Sequence, residues 1–120
     1  MKKLSLLLAL AFFNTVTAKV LFITHSYNRP DFLELQVKTF NALLEDEYDF
    51  IVFNDAPDVH MERQINHTCD KLELSYFRVP QHLHHRPGRY SAGHRHMDGI
   101  QFAFDTIQYD AKGEYEYVVL

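Results

Sequence analysis

A short apolar run that breaks into a polar segment and then into a helix start constrains the fold of this chain most. Residues 20–23 read Val-Leu-Phe-Ile, which suits a strand buried on both faces of a sheet. Residues 24–29 are polar and indicate a turn. Pro30 fits the first position of a helix because the N–H there has no helical partner, and Asp31 complements the helix dipole. Polar side chains are thus expected at the carboxyl edge of a sheet, where open α/β sheets bind ligands.

Strand-like and helix-like segments alternate along the rest of the chain. Apolar residues at helical spacing predict an amphipathic helix over residues 31–45. The later predicted elements are a strand over 48–54, a helix over 59–72, a strand over 74–79, a loop over 81–90, a helix from an N-cap at Ser91 to about residue 108, and the beginning of a strand over 115–120. This β-α-β-α-β-α-β order predicts an α/β fold with a Rossmann-like, doubly wound and mostly parallel sheet. The apolar end of the sequence indicates that the domain is truncated within its fourth strand.

Residues 1–18 have the layout of a secretory signal peptide. A positive start precedes an apolar run over residues 4–13, and a small-residue cleavage pattern ends at Ala18. The apolar run is too short for a stable membrane span. We therefore expect a domain over residues 19–120 in the secretory pathway or exported, whether secreted, periplasmic or in an organelle lumen. The alternatives are that residues 1–18 form a first strand or helix of the domain, or that they are retained uncleaved as an anchor.

Charge and cysteine content narrow the classes of partner and chemistry. The net charge is −4 and no basic cluster exceeds the Lys2-Lys3 pair, which argues against binding to a nucleic acid backbone. Cys69 is the only cysteine, so no intramolecular disulfide can form. Polar residues flank it, and we expect a small half-buried filler rather than a nucleophile.

Four segments in order resemble motifs of inverting glycosyltransferases with the GT-A fold, which are family-2-like nucleotide-diphospho-sugar transferases. Residues 22–30 resemble the first-strand signature, and residues 51–55 resemble the second strand, which typically ends in two aspartates. Residues 88–92 with 99–103 resemble the Gly-rich helix start, and residues 115–120 resemble the strand before the Asp-x-Asp metal motif. The resemblance covers residues 20–120 and implies a GT-A-type domain.

What the resemblance implies is the nucleotide-binding half of a glycosyltransferase. The whole protein would transfer a sugar from a nucleoside diphosphate sugar to an unknown acceptor. By position, the base and ribose would be held by Tyr27, Asn28, Arg29, Asn54 and Asp55, and the diphosphate would be approached by Arg89, His94, Arg95 and His96. Helix N-termini favour anions, and arginine pairs with phosphate through two hydrogen bonds, which is consistent with the second group.

The resemblance also implies a Mn²⁺ or Mg²⁺ ion. The Asp-x-Asp ligands and the catalytic base are absent from this chain, so we expect no catalysis by the chain alone. His25 and Ser26 stand where Pro and Thr are usual in the family, and Asn54 replaces one aspartate. Two alternatives remain. One is a non-catalytic secreted α/β binding module that retains the fold, and the other is a histidine-rich metal-binding domain that uses His82 and His84.

Overall fold

The alternation of strands and helices is present in the computed structural model, which describes residues 19–84, 92–110 and 113–120. Its elements in chain order are β1 (Val20–Ser26), α1 (Pro30–Leu43), β2 (Tyr48–Asn54), α2 (Val59–Lys71), β3 (Ser75–Arg78), a 3₁₀ helix (Gln81–His84), α3 (Ala92–Asp110) and β4 (Tyr117–Val119). The predicted α/β class is confirmed. The predicted signal peptide over residues 1–18 and the predicted N-cap Ser91 lie outside the described residues.

The four strands in the described part of the chain form one parallel sheet in the order β3-β2-β1-β4. The chain moves from β1 through β2 to β3 in one direction, whereas β4 lies on the other side of β1. Right-handed crossovers then place α1 and α2 on one face of the sheet and α3 on the other. The arrangement is compatible with a Rossmann-like fold, and its strand order reverses between β1 and β4.

Each face of the sheet carries its own hydrophobic core, because successive side chains of a strand point to opposite faces. Toward α1 and α2 the buried core consists of Leu33, Phe50, Val52, Ala56, Ile65 and Cys69. Toward α3 it consists of Leu21, Ile23, Phe53, Val79 and Ala103. Burial on both faces explains why the central strands read as continuous apolar runs rather than alternating ones.

Strand β1 is longer than the sequence indicates. The structure corrects the turn predicted over residues 24–29, since Thr24, His25 and Ser26 still pair with β2. Polar residues are accommodated here because the neighbouring elements contact their side chains. Thr24 Oγ1 accepts a 3.4 Å hydrogen bond from Gln36 of α1, and the His25 ring stacks on Phe53 of β2 with ring centres 5.4 Å apart.

Smaller corrections concern the ends of elements. Helix α1 begins at Pro30 as predicted but ends at Leu43, two residues earlier than expected. Leu44 leaves the helix in an extended conformation, while its N–H still donates to the Phe40 carbonyl at 2.9 Å. The predicted loop over 81–90 starts with a 3₁₀ helix. None of the helices in the described ranges is long and apolar enough to cross a membrane.

Candidate functional site

A crevice of about 380 Å³ opens where the strand order reverses, between the carboxyl end of β1 and the start of α3. Ligands of open α/β sheets bind at such a reversal, outside the carboxyl ends of the strands. The crevice is lined by Ile23, Thr24, His25 and Tyr27 of β1 and its following loop, by Asp55 after β2, by Ala92, Arg95, His96 and Ile100 of α3, and by Leu120 after β4. Its walls thus come from separate parts of the sequence.

Arg95 joins three of these parts. Its guanidinium carbon lies over the ring of Tyr27, 4.0 Å from the ring centre. Its Nε lies 3.7 Å from Asp55 Oδ2. That separation is longer than a hydrogen bond and corresponds to an ion pair. Helix α3 therefore contacts the ends of both β1 and β2 through one side chain.

Asp55 is held firmly at the end of β2. The residue is only 6% exposed, and its backbone N–H donates to the Ser26 carbonyl at 2.9 Å. This bond ties the loop after β2 to the last residue of β1. A carboxylate so enclosed interacts more strongly with a neighbouring cation than a solvated one, because the local dielectric is low. Asp55 and Arg95 thus form a partly buried pair at the base of the crevice.

His25 forms part of the crevice floor, although the sequence resemblance did not assign it a role. Its ring lies edge-on to His96 with ring centres 5.9 Å apart, and it packs closely on the backbone of Gly99. Burial lowers the pKa of His25 below 6.5, while the Gly99 backbone and Asp55 act in the opposite direction. The imidazole is therefore neutral at pH 7. Its Nε2 is enclosed and makes no hydrogen bond within the part of the chain that the structure describes.

A signal for His25 was present in the sequence. It follows Leu21 and Ile23 at intervals of two, and these residues face α3 in the structure. A strand that continued through residue 25 would have placed the imidazole on the same side as the start of α3. Because a turn is predicted from residue 24 onward, the sequence alone does not place the His25 imidazole beside α3.

Asn54 lies beneath the loop that carries Asp55 rather than in the crevice. It is 0% exposed, and its Nδ2 donates to the Glu62 carbonyl at 3.1 Å and to Asn66 Oδ1 at 2.8 Å. Its Oδ1 accepts from the Ala56 N–H at 3.1 Å. The side chain therefore fastens the end of β2 to α2. Its hydrogen-bonding groups are used within the protein.

Asn28 and Arg29 line a neighbouring cavity of about 450 Å³ at the start of α1. The Arg29 guanidinium forms a two-point contact with Asp31 and lies 3.9 Å from the centre of the Phe32 ring. Asn28 and Arg29 are both exposed. Tyr27 lines this cavity as well as the crevice, so the two spaces adjoin along the end of β1.

The structure brings together only part of the predicted site. The predicted residues that line the crevice are Tyr27, Asp55, Arg95 and His96. His94 is exposed and lies outside the lining, and Arg89 lies outside the described residues. The crevice thus joins an aromatic ring, a carboxylate, a guanidinium and two imidazoles. Such a set can stack on a planar group and bind an anion.

The described ranges contain no preformed cluster of metal-ligating side chains. Within 19–84, 92–110 and 113–120, no three His, Cys, Asp or Glu side chains converge as metal ligands. His82 lies on the 3₁₀ helix, whereas the side chain of His84 is outside the described part. The histidine-rich metal site therefore stays a prediction.

No protein-family model, curated protein or solved structure matches this chain.

Proposed function

We propose that the crevice binds the nucleotide of a nucleoside diphosphate sugar and that this chain is the donor-binding part of a GT-A-type glycosyltransferase. The observation that supports this most is the convergence of Tyr27, Asp55, Arg95 and His96 at the point where the strand order reverses. The volume of about 380 Å³ falls among those of small-molecule sites, roughly 300–1,000 Å³.

The two ends of a nucleotide find different surroundings in the crevice. Ala92, the first residue of the 19-residue helix α3, is one of the lining residues, so the positive end of the helix dipole lies beside the cavity. Arg95 adds a fixed positive charge within the next turn, and His96 adds an imidazole. This side suits the diphosphate. The Tyr27 ring and the floor formed by neutral His25 suit the planar base and the ribose.

The proposed reaction breaks the bond between the sugar's anomeric carbon and the diphosphate and forms a bond from that carbon to an acceptor hydroxyl. The nucleoside diphosphate leaves, and the hydroxyl proton passes to a base. We assign only donor binding to the described residues, and neither a catalytic base nor a cation ligand. The signal-like sequence over residues 1–18 supports a place for this activity in the secretory pathway or outside the cell.

Ligand-induced stabilisation of the full chain tests the proposal. UDP and GDP are each titrated with and without Mn²⁺ while the unfolding temperature is followed. A nucleotide at 100 times its Kd should add about 2.7 kcal/mol to the free energy of unfolding. The stabilisation should disappear in Arg95→Ala and persist in Arg63→Ala, which removes an exposed arginine of α2. A well-folded chain that no nucleotide stabilises would contradict donor binding and favour the non-catalytic module.

A further inference from the structure

We propose that Asp55 is a positioning residue, which holds Arg95 across the ring of Tyr27 so that the guanidinium is presented to a phosphate. The inference rests on the proposed function and assigns Asp55 to the phosphate end of the ligand rather than to the base. Asp55 acts there through Arg95 and does not itself contact the ligand.

The first support is that Arg95 is contacted on two sides. The Tyr27 ring covers the face of the guanidinium at 4.0 Å, and Asp55 approaches its edge at 3.7 Å. A free arginine side chain samples many rotamers, and ordering it on binding costs affinity. Contacts on the face and on the edge restrict these rotamers before any ligand arrives.

The second support is the atom through which the ion pair forms. Asp55 approaches Arg95 at Nε, which carries one of the five N–H donors of a guanidinium. The other four belong to the two terminal nitrogens beyond the guanidinium carbon. Those terminal groups can bind phosphate while the carboxylate keeps its place at Nε.

The third support is the rigidity of Asp55 itself. Its backbone is tied to β1 through the Ser26 carbonyl, and Asn54, one residue earlier, is fastened to α2. With 9% of its side chain exposed, the carboxylate has little freedom to move toward a ligand. A carboxylate also repels a phosphate directly. We therefore attribute a favourable effect of Asp55 on phosphate binding to the cation that it holds.

Replacing Asp55 with asparagine separates positioning from simple charge. The charge effect alone predicts that Asp55→Asn binds an anion more tightly, because a negative charge near the site is removed. Positioning predicts that Asp55→Asn binds an anion more weakly, since Arg95 loses its ionic partner and gains rotamer freedom. The two explanations thus differ in direction and not only in size.

The experiment measures binding of inorganic pyrophosphate, UDP and uridine to the full chain by calorimetry. Asp55→Asn should lower the affinities for pyrophosphate and UDP by a similar factor, about tenfold for the loss of one charge-assisted contact. The affinity for uridine should not change. In an Arg95→Gln background the same change should no longer weaken pyrophosphate binding, because only the direct repulsion by the carboxylate is then removed. Asp46→Asn, at an exposed carboxylate, is the matched control and should change none of the three affinities.

Tighter binding of pyrophosphate by Asp55→Asn would overturn the inference in favour of a charge effect. Weaker binding of uridine with unchanged pyrophosphate would overturn it in favour of direct contact with the base. Both outcomes would leave the proposed function standing, whereas binding of none of the three ligands would overturn both. If Asp55→Asn does not fold, Tyr27→Leu removes the other side of the contact. Unchanged pyrophosphate affinity in that variant would then overturn the inference.

Discussion

Replacing Asn54 with alanine should destabilise the fold by about 4 kcal/mol, although from the sequence the residue resembles a ligand-binding group. Its side chain is fully buried and makes three hydrogen bonds, two to α2 and one to the Ala56 N–H. Alanine removes all three and leaves the Ala56 N–H and the Asn66 amide without this partner.

The magnitude follows from those contacts. Each buried hydrogen bond contributes about 1 kcal/mol net, and the small cavity left by the amide adds roughly 1 kcal/mol more. The total is a large fraction of the 5–15 kcal/mol that stabilises a typical domain. For a domain of this size each kcal/mol lowers the unfolding temperature by roughly 4–8 °C, so the variant should melt at least about 16 °C lower.

Urea denaturation followed by circular dichroism measures the effect, with a lower midpoint and an unchanged slope expected. The matched control is Asn41→Ala, where the exposed side chain accepts one hydrogen bond, 2.7 Å long, from the Tyr48 hydroxyl. That change should cost no more than about 1 kcal/mol. The structural role assigned to Asn54 would be refuted if both variants were equally stable and Asn54→Ala lost only nucleotide affinity.

Three further predictions concern His25, Gly99 and Cys69. Gly99→Ala should lower the unfolding temperature, because a Cβ there would lie 3.2 Å from His25 Cδ2, and in a His25→Ala background it should be neutral or stabilising. The free energy of unfolding should fall as pH drops below 6.5, since the unfolded chain takes up a proton before the half-buried His25 of the folded chain does. In denaturation measured at several pH values, His25→Gln should lose this component. The buried Cys69 thiol, its pKa raised to about 11, should react with a thiol reagent no faster than the chain unfolds, and rapid labelling of the native protein would contradict this.

Much of the fold could be predicted because hydrophobic periodicity reports directly on burial. The apolar run of β2 and the helical spacing in α1 each need only local sequence, and both elements were located to within two residues at each end. The end of β1 was missed for a physical reason. The strand continues through Thr24 and His25 because Gln36 and Phe53 contact their side chains, and both contacts come from distant residues.

The candidate site was less predictable because it depends on which face each polar residue occupies. Asn54 and Asp55 are adjacent after the same apolar run, yet Asn54 turns toward α2 and Asp55 toward Arg95. The alternation along β2 contains this information, since Asn54 shares the side of Phe50 and Val52. The side of the sheet on which the crevice lies is determined by the packing of α3, which local sequence does not reveal. The stacking of Arg95 on Tyr27 depends on that packing as well.

Nucleotide binding in the crevice is measured directly by a map of backbone chemical-shift changes as UDP or, separately, GDP is added to the full, isotope-labelled chain. Nucleotide binding at the reversal of the strand order predicts saturable changes centred on Tyr27, Asp55 and Arg95, with smaller ones at the start of α3. Changes confined to the neighbouring cavity at Arg29 and Phe32, or no saturable change at all, would contradict it.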